Sequence, residues 1–276
     1  MTDFISFESV NGAVVRVAMN ILEHTEIGGE RPLFGSKSVM LTDVTIRMGE
    51  SALKLSVDVV ARNCRIEGMY VFWECKDVKC ADTYFSDSAR ACSWYGTNHS
   101  YSRCKVDSPK MFRELKGLQV TDTVMNNAAE TFWKCTDADL LQVELHGAEY
   151  CFLNAADVHI NEMHEDGKYA FQYARRIEIH NSVLVTKDAF WESEDCTIYD
   201  SQIRGEYLGW YSRNLRLVRC RISGTQPLCY CKNLVLEDCV FAADADRCFE
   251  NSSVSGSVIG SVASVVEPVF GHITYK

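Results

Sequence analysis

The run Ala170-Phe171-Gln172-Tyr173-Ala174-Arg175-Arg176-Ile177-Glu178-Ile179-His180-Asn181-Ser182-Val183-Leu184 decides how this chain folds. Nineteen residues on, Ala189-Phe190-Trp191-Glu192-Ser193-Glu194-Asp195-Cys196-Thr197-Ile198-Tyr199-Asp200-Ser201-Gln202-Ile203 repeats it, apolar on apolar and small on small. The same frame puts Phe72, Phe112, Phe132, Phe152 and Leu228 at the first anchor, with Ser93 and Gly209 in two weaker copies. From Phe72 to Leu228 there are eight steps over 228 − 72 = 156 residues, or 19.5 per step. Earlier copies trace back to about Phe34, and a degenerate one runs through Phe249.

Each copy reads Phe-x-x-small-x-x-Val-x-Ile-x-Asp/Asn-small-x-Ile. Pairs such as Val158-x-Ile160 and Cys220-x-Ile222 have the two-residue period of a strand. Polar gaps at Asn181 and Asp200 read as corners. Gly49, Gly68, Gly147, Gly167, Gly205 and Gly224 follow the last apolar position, where a corner asks for positive φ. A unit this short buries no core alone, so neighbours must stack.

The expected fold is all-β: a single-stranded right-handed parallel β-helix, a β-solenoid of about twelve ~19-residue rungs with three short strands each. At ~4.8 Å per rung it would be roughly 55 Å long. A leucine-rich-repeat-like solenoid is the alternative, since Cys231-Lys232-Asn233-Leu234-Val235-Leu236-Glu237-Asp238-Cys239-Val240-Phe241 fits its opening positions. The arc after Phe241 is too short for the return helix of that fold. One domain is expected over 1–276: an N-terminal cap at 1–30, rungs at 31–256, and a C-terminal cap or tail at 257–276. Gly12–Ala18 is apolar enough to cover the first rung. The Val- and Ser-rich tail would fold over the last rung or meet another subunit.

The repeated Phe-Trp-x-Cys and Leu-x-Leu-x-Asp-Cys-x-Phe rungs, with the overall length, resemble an uncharacterised bacterial family of single-domain right-handed parallel β-helix proteins of unknown function. The likeness to pectate-lyase-like proteins is one of architecture only. It implies the fold and carries no catalytic residue across.

Composition narrows the classes. The 276 residues hold 28 Lys and Arg against 38 Asp and Glu, a net charge of −10. That argues against a nucleic-acid partner. No stretch approaches the ~18 apolar residues of a membrane span, and the acidic start is unlike a secretory signal. A cytoplasmic protein is the expectation.

The 13 cysteines are an odd number. Cys75, Cys135 and Cys231 fall three residues after the anchor, Cys64, Cys104, Cys220 and Cys239 after the corner, and Cys196 in the Val slot. Other copies hold Ala, Ser or Thr there, so these read as inward thiols filling small slots. Cys229 reads as pointing outward. No metal site and no cofactor are expected.

Function must lie in outward columns. Trp73, Trp94, Trp133, Trp191 and Trp210 all fall one residue after the anchor. The next column includes Tyr173, Glu192, Tyr211 and Tyr230. Trp73, Trp94, Trp133, Trp191, Trp210, Tyr173, Tyr211 and Glu192 are the candidate ligand-binding residues, since aromatic faces beside carboxylates suit sugars. Corner packing and an oligomer interface remain open for the tryptophans. On the Val-x-Ile strand, Asp139, His159 and Glu178 stack on successive rungs, with His180 beside them. These four are the candidate catalytic residues, suited to acid–base chemistry. A solvated charge ladder is the plainer reading of the same four.

Three functions follow. The first is a scaffold binding carbohydrate or protein along an aromatic–acidic face. The second is a polysaccharide- or sugar-active enzyme, and the third a structural protein that self-associates as a homo-oligomer. The absence of a G-x-S-x-G, Walker or G-x-G-x-x-G motif leans against the enzyme.

Overall fold

The computed structural model describes the backbone of residues 4–10 and 13–276 and the side chains of residues 19–276. The chain divides into two compact units, Met1–Asn126 and Asn127–Lys276. Turns of a parallel β-solenoid build both, about 13 in all. Among the described residues there is no helix, so the leucine-rich-repeat alternative falls away.

In the first unit one face stacks Lys37–Thr42, Val57–Arg62, Lys76–Ala81 and Thr97–Ser102 as parallel strands. A second face stacks Thr45–Glu50, Arg65–Ile66, Tyr84–Phe85 and Lys105–Val106. In the second unit Thr136–Glu149 and Ala156–Lys168 each supply both faces. Beyond them the faces separate, with Arg175–His180, Thr197–Tyr199 and Arg216–Val218 on one. Val183–Lys187, Gln202–Arg204 and Arg221–Ser223 form the other. The register steps by the sequence period: Ile160 pairs with Ile179, then Ile198, Leu217 and Leu236, all buried. A one-residue slip would turn every one of these outward.

The third arc, where the sequence pattern suggests a third strand, pairs as short parallel strands at Ser93–Trp94 and Phe112–Arg113 of the first unit and is a turn in the rungs of the second. Alternate residues there lie at positive φ: Tyr169 (66°), Phe171 (58°) and Tyr173 (57°), then Asp188 (52°), Phe190 (58°) and Glu192 (50°). A strand needs extended φ throughout, so this path is excluded from the sheet. Its amides still bond rung to rung, as from Phe171 N–H to Cys151 O (2.9 Å) and Phe190 N–H to Ala170 O (2.9 Å). Holding a phenylalanine in the left-handed region costs about 1–2 kcal/mol. A ladder of stacked rings offsets it. Phe132, Phe152, Phe171 and Phe190 lie face to face, centroids 4.5, 4.5 and 4.7 Å apart and planes within 7°.

The corners at Asn181 (φ 50°) and Asp200 (φ 49°) are left-handed, a conformation Asn and Asp tolerate best among residues with a Cβ. Charges alternate along that edge: Arg219 donates two hydrogen bonds to Asp200, at 2.6 and 2.7 Å. The glycine column divides. Gly224 has φ 105°, and a Cβ there would lie 2.1 Å from Gly205 O. Gly68 and Gly167 are not at positive φ; a Cβ on Gly167 would sit 2.2 Å from Ala148 O, so close backbone approach requires that glycine.

Both ends of the chain carry strands of their own. Phe4–Val10 and Ala13–Glu23 pair antiparallel, and Asn20–Glu23 already pairs in parallel with Val39–Thr42. Solenoid pairing therefore begins at Asn20, ahead of the boundary at residue 30. The side chains of Gly12–Ala18, expected to cover the first rung, lie outside the described residues. At the other end Phe270–Tyr275 adds a further parallel strand on Ser253–Val258. Val269 and Phe270 remain 71 % and 79 % exposed, so this tail extends the ladder and its apolar side chains are not buried in their own unit.

All thirteen cysteines are free and buried. Cys229, expected outward, is buried too. Its Sγ contacts the carbonyls of Gln226 (3.5 Å) and Arg247 (3.4 Å), because the following turn crosses over it. Burial pushes the Cys75, Cys92 and Cys231 thiols up to about 12. A neutral thiol is a poor nucleophile and a poor ligand.

Candidate functional site: an aromatic and basic groove

The repeat writes two outward columns onto the turn arc of the second unit. Two residues past the anchor stand Tyr173, Glu192, Tyr211 and Tyr230, at φ 57°, 50°, 60° and 60°. The anchors Phe171, Phe190 and Leu228 share that left-handed backbone and are fully buried, while these side chains two residues on lie at the surface. Four residues past the anchor stand Arg175, Glu194, Arg213 and Lys232, bridged rung to rung in parallel. Between the columns runs a groove of about 530 Å³, with Ser193 in its floor and Asn154 at one end.

One wall of the groove is aromatic. Tyr211 and Tyr230 stack at 4.8 Å with planes 16° apart, and the Tyr173 ring is 43 % exposed. Trp191 and Trp210 stack on each other at 5.5 Å behind this wall. Trp191 lies 5.3 Å from Tyr211, and Trp210 lies 5.2 Å from Tyr230. The indole N–H of Trp210 is spent on Gln226 O (2.8 Å). The Tyr230 hydroxyl donates to Glu250 at 3.2 Å; burial first, then that carboxylate, raises its pKa.

The other wall is basic. Arg175 approaches Glu194 at 3.8 Å. Arg213 and Lys232 form no ion pair among the described residues. Three cations against Glu192 and Glu194 leave 3 − 2 = +1 in the groove of a chain carrying −10.

The sequence-derived ligand set divides on this geometry. Tyr173, Tyr211 and Glu192 line the groove, and Trp191 and Trp210 buttress it. Trp133 is half-buried, its indole N–H on Tyr150 O (2.5 Å). In the first unit Trp73 and Trp94 stack at 5.1 Å, and cations of the same chain already cover them. Lys54 lies 5.1 Å over Trp73, and Arg113 lies 4.1 Å over Trp94. Arg175, Glu194, Arg213, Lys232 and Tyr230 were not among the candidates. The 19-residue step that found the tryptophan column also aligns the column holding the basic residues, three positions further along.

Of the four candidate catalytic residues, the structure joins two. His180 Nε2 lies 2.8 Å from Glu178 Oε1, and the imidazole stacks on Tyr199 at 4.5 Å. Asp139, His159 and Glu178 are register neighbours on an outward strand face, as read from the sequence. None of the four lines the groove. Among the described residues no group of three or more His, Cys, Asp or Glu is placed to hold a metal ion.

The family model described as "Protein of unknown function (DUF3737)" matches residues 20–276. The chain belongs to this family. No curated protein matches it. Among solved structures, alginate lyase AlyF-OU02 in complex with G6 superposes with a TM-score of 0.56 at 8 % identity, covering 93 % of this chain and 79 % of that one. The A-module of Azotobacter vinelandii mannuronan C-5 epimerase AlgE6 gives 0.48 at 8 % identity over 93 % and 90 %. PfbA, a surface adhesin of Streptococcus pneumoniae, gives 0.42 at 9 % identity over 87 % and 71 %. The lyase shows that this DUF3737 chain has the β-helix fold. At such identity it shows the fold alone.

Proposed function

We propose that the chain is a glycan-binding β-solenoid that holds a linear, negatively charged glycan in the groove of its second unit. The observation that carries this reading is the pairing of a tyrosine wall with two cations, Arg213 and Lys232, that form no ion pair among the described residues. Tyr173 and Tyr211, each about two-fifths exposed, and Tyr230 line this wall, where the stacked Tyr211 and Tyr230 present ring edges for apolar contact with sugar rings. Arg213 and Lys232 stand across from them, ready to meet carboxylate or sulfate groups. Alginate, named for the lyase of like fold, is a glycan of this chemical kind. Binding without bond cleavage fits best, since Glu178 and His180 lie outside the groove.

Calorimetric titration with carboxylated, sulfated and neutral linear oligosaccharides tests the reading. Charged ligands should bind, more weakly as salt rises, and Arg213→Gln should lower their affinity about tenfold. Equal affinity for neutral ligands would remove the charge requirement. No binding to any of the three classes would remove the glycan.

A further inference from the structure

A carboxylic acid lies inside the second unit. Glu165 sits on the strand Ala156–Lys168 at an inward position, with 0 % of its surface exposed. Its register partners on either side are Leu145 and Leu184, and the same column continues as Ile203 and Ile222. In the second unit the other rungs of that column, down to Phe241, hold buried apolar side chains, so the glutamate stands where the repeat places a core hydrophobe. Neither carboxyl oxygen has a hydrogen-bond partner, and the nearby Thr186 Oγ1 is also without one. Burying an ionised carboxylate without a partner is far costlier than burying the neutral acid.

The surroundings give it no counter-charge. On its own strand the flanking residues His164 and Asp166 point outward. Asp166 is engaged on the outer face, where His146 Nδ1–H donates to its Oδ2 at 2.5 Å and Gly147 N–H reaches its Oδ1 at 3.3 Å. Burial raises the Asp166 pKa, but these hydrogen bonds outweigh it and hold the group below the usual carboxylate range. Asp166 is therefore a fixed negative charge directly behind Glu165. From the preceding rung comes Leu145, with the Cys151 thiol on the turn beyond; burial keeps that thiol neutral. From the following rung come Leu184 and Thr186, which cannot ionise. Among the described residues no ion pair reaches the carboxyl.

We propose that Glu165 is kept protonated in the core, and that the rungs it joins, residues 143–149, 163–168 and 183–187, are a pH-sensitive segment that loosens as the pH rises. Burial first, and then the charge of Asp166, place its pKa well above the ordinary 4.5, against a smaller lowering by the nearby Thr186 hydroxyl. In the unfolded chain the group ionises near 4.5. The native state therefore holds one more proton across the interval above that value, and stability falls with rising pH through it. Each pH unit inside the interval lowers the folding equilibrium constant by up to tenfold.

Urea unfolding of the full chain between pH 4.5 and 9 tests this, comparing the natural protein with Glu165→Gln and Glu165→Leu. Stability of the natural protein should fall relative to both variants by up to tenfold in equilibrium constant per unit. Amide exchange in the three strands should quicken in the natural protein alone. Parallel pH profiles for all three proteins would overturn the proposal. Should neither variant fold, carbon-13 NMR of glutamate side chains in the natural protein decides it. One carboxyl still protonated at pH 7 supports the proposal; titration of every glutamate in the ordinary range overturns it.

Discussion

Phe171→Ala separates the two faces of a single turn. Phe171 is fully buried between Phe152, 4.5 Å away, and Phe190, 4.7 Å away, with planes within 7° of parallel. Truncating a buried phenylalanine costs about 3–5 kcal/mol. Two ring stacks are lost together, each worth about 0.5–1.5 kcal/mol beyond area, which places the expectation near the top of that range, at about 4–5 kcal/mol. Alanine keeps its Cβ, so the strain at φ 58° is not relieved. Tyr173, two residues on in the same turn, faces the groove. Tyr173→Ala should cost no more than about 0.5 kcal/mol in stability. The assay is urea unfolding followed by far-ultraviolet circular dichroism and tryptophan fluorescence, with equal m-values required before midpoints are compared. Phe171→Leu, at about 1–2 kcal/mol, supplies a milder step should the alanine variant not fold. A loss below about 1.5 kcal/mol for Phe171→Ala, or equal losses for Phe171→Ala and Tyr173→Ala, would refute the alternation of anchor and groove residues.

Other expectations follow from single contacts. Gly224→Ala puts a Cβ 2.1 Å from Gly205 O at φ 105°, and should lower stability by at least about 2 kcal/mol in the same urea assay; a neutral result would contradict the close rung approach. None of the 13 cysteines should react with a thiol reagent in the native protein, and all 13 should react in denaturant; a fast native reaction at any one would show an exposed thiolate. His99 is inward, with Nε2 3.1 Å from Cys75 O, and burial pushes it down to about 4 despite that hydrogen bond. Its neutral form is native while the unfolded chain titrates near 6.5, so this contribution is complete above 6.5 and fades as pH falls toward 4, by about 3 kcal/mol in total. Imidazole NMR should find one of the seven histidines still neutral at pH 5; protonation of all seven by then would contradict it.

The solenoid was legible because its cause is periodic. A 19-residue step repeats the inward pattern of Ile160, Ile179, Ile198, Leu217 and Leu236, and stacking is the only way such short units bury it. The Asn and Asp corners were legible for a local reason, their tolerance of left-handed backbone. The turn arc was not, because Phe171 and Phe190 at positive φ go against propensity and are held there by stacking with other rungs. Glu165 falls in the last Ile slot of the repeat, nineteen residues before Leu184, but the polar run Met163-His164-Glu165-Asp166 masks that slot. The groove was half legible. Tyr173, Tyr211 and Glu192 came from the column beside the tryptophans; the step of 19 also aligns Arg175, Glu194, Arg213 and Lys232, but that they face the tyrosines across a groove came only from the structure. The tryptophans drew attention by number, yet their hydrogen bonds and stacking make them supports of neighbouring side chains.

Equilibrium binding of one carboxylated linear oligosaccharide to the natural protein, Tyr211→Ala and Arg213→Gln tests the central claim most directly. Each substitution removes one wall of the groove and leaves the buried ladder intact. The groove predicts saturable binding to the natural protein and about a tenfold loss in each variant, with the unfolding midpoint unchanged in Arg213→Gln and lowered in Tyr211→Ala only by its lost ring stacking. Undiminished binding in both variants would place the ligand elsewhere on the chain and contradict the claim.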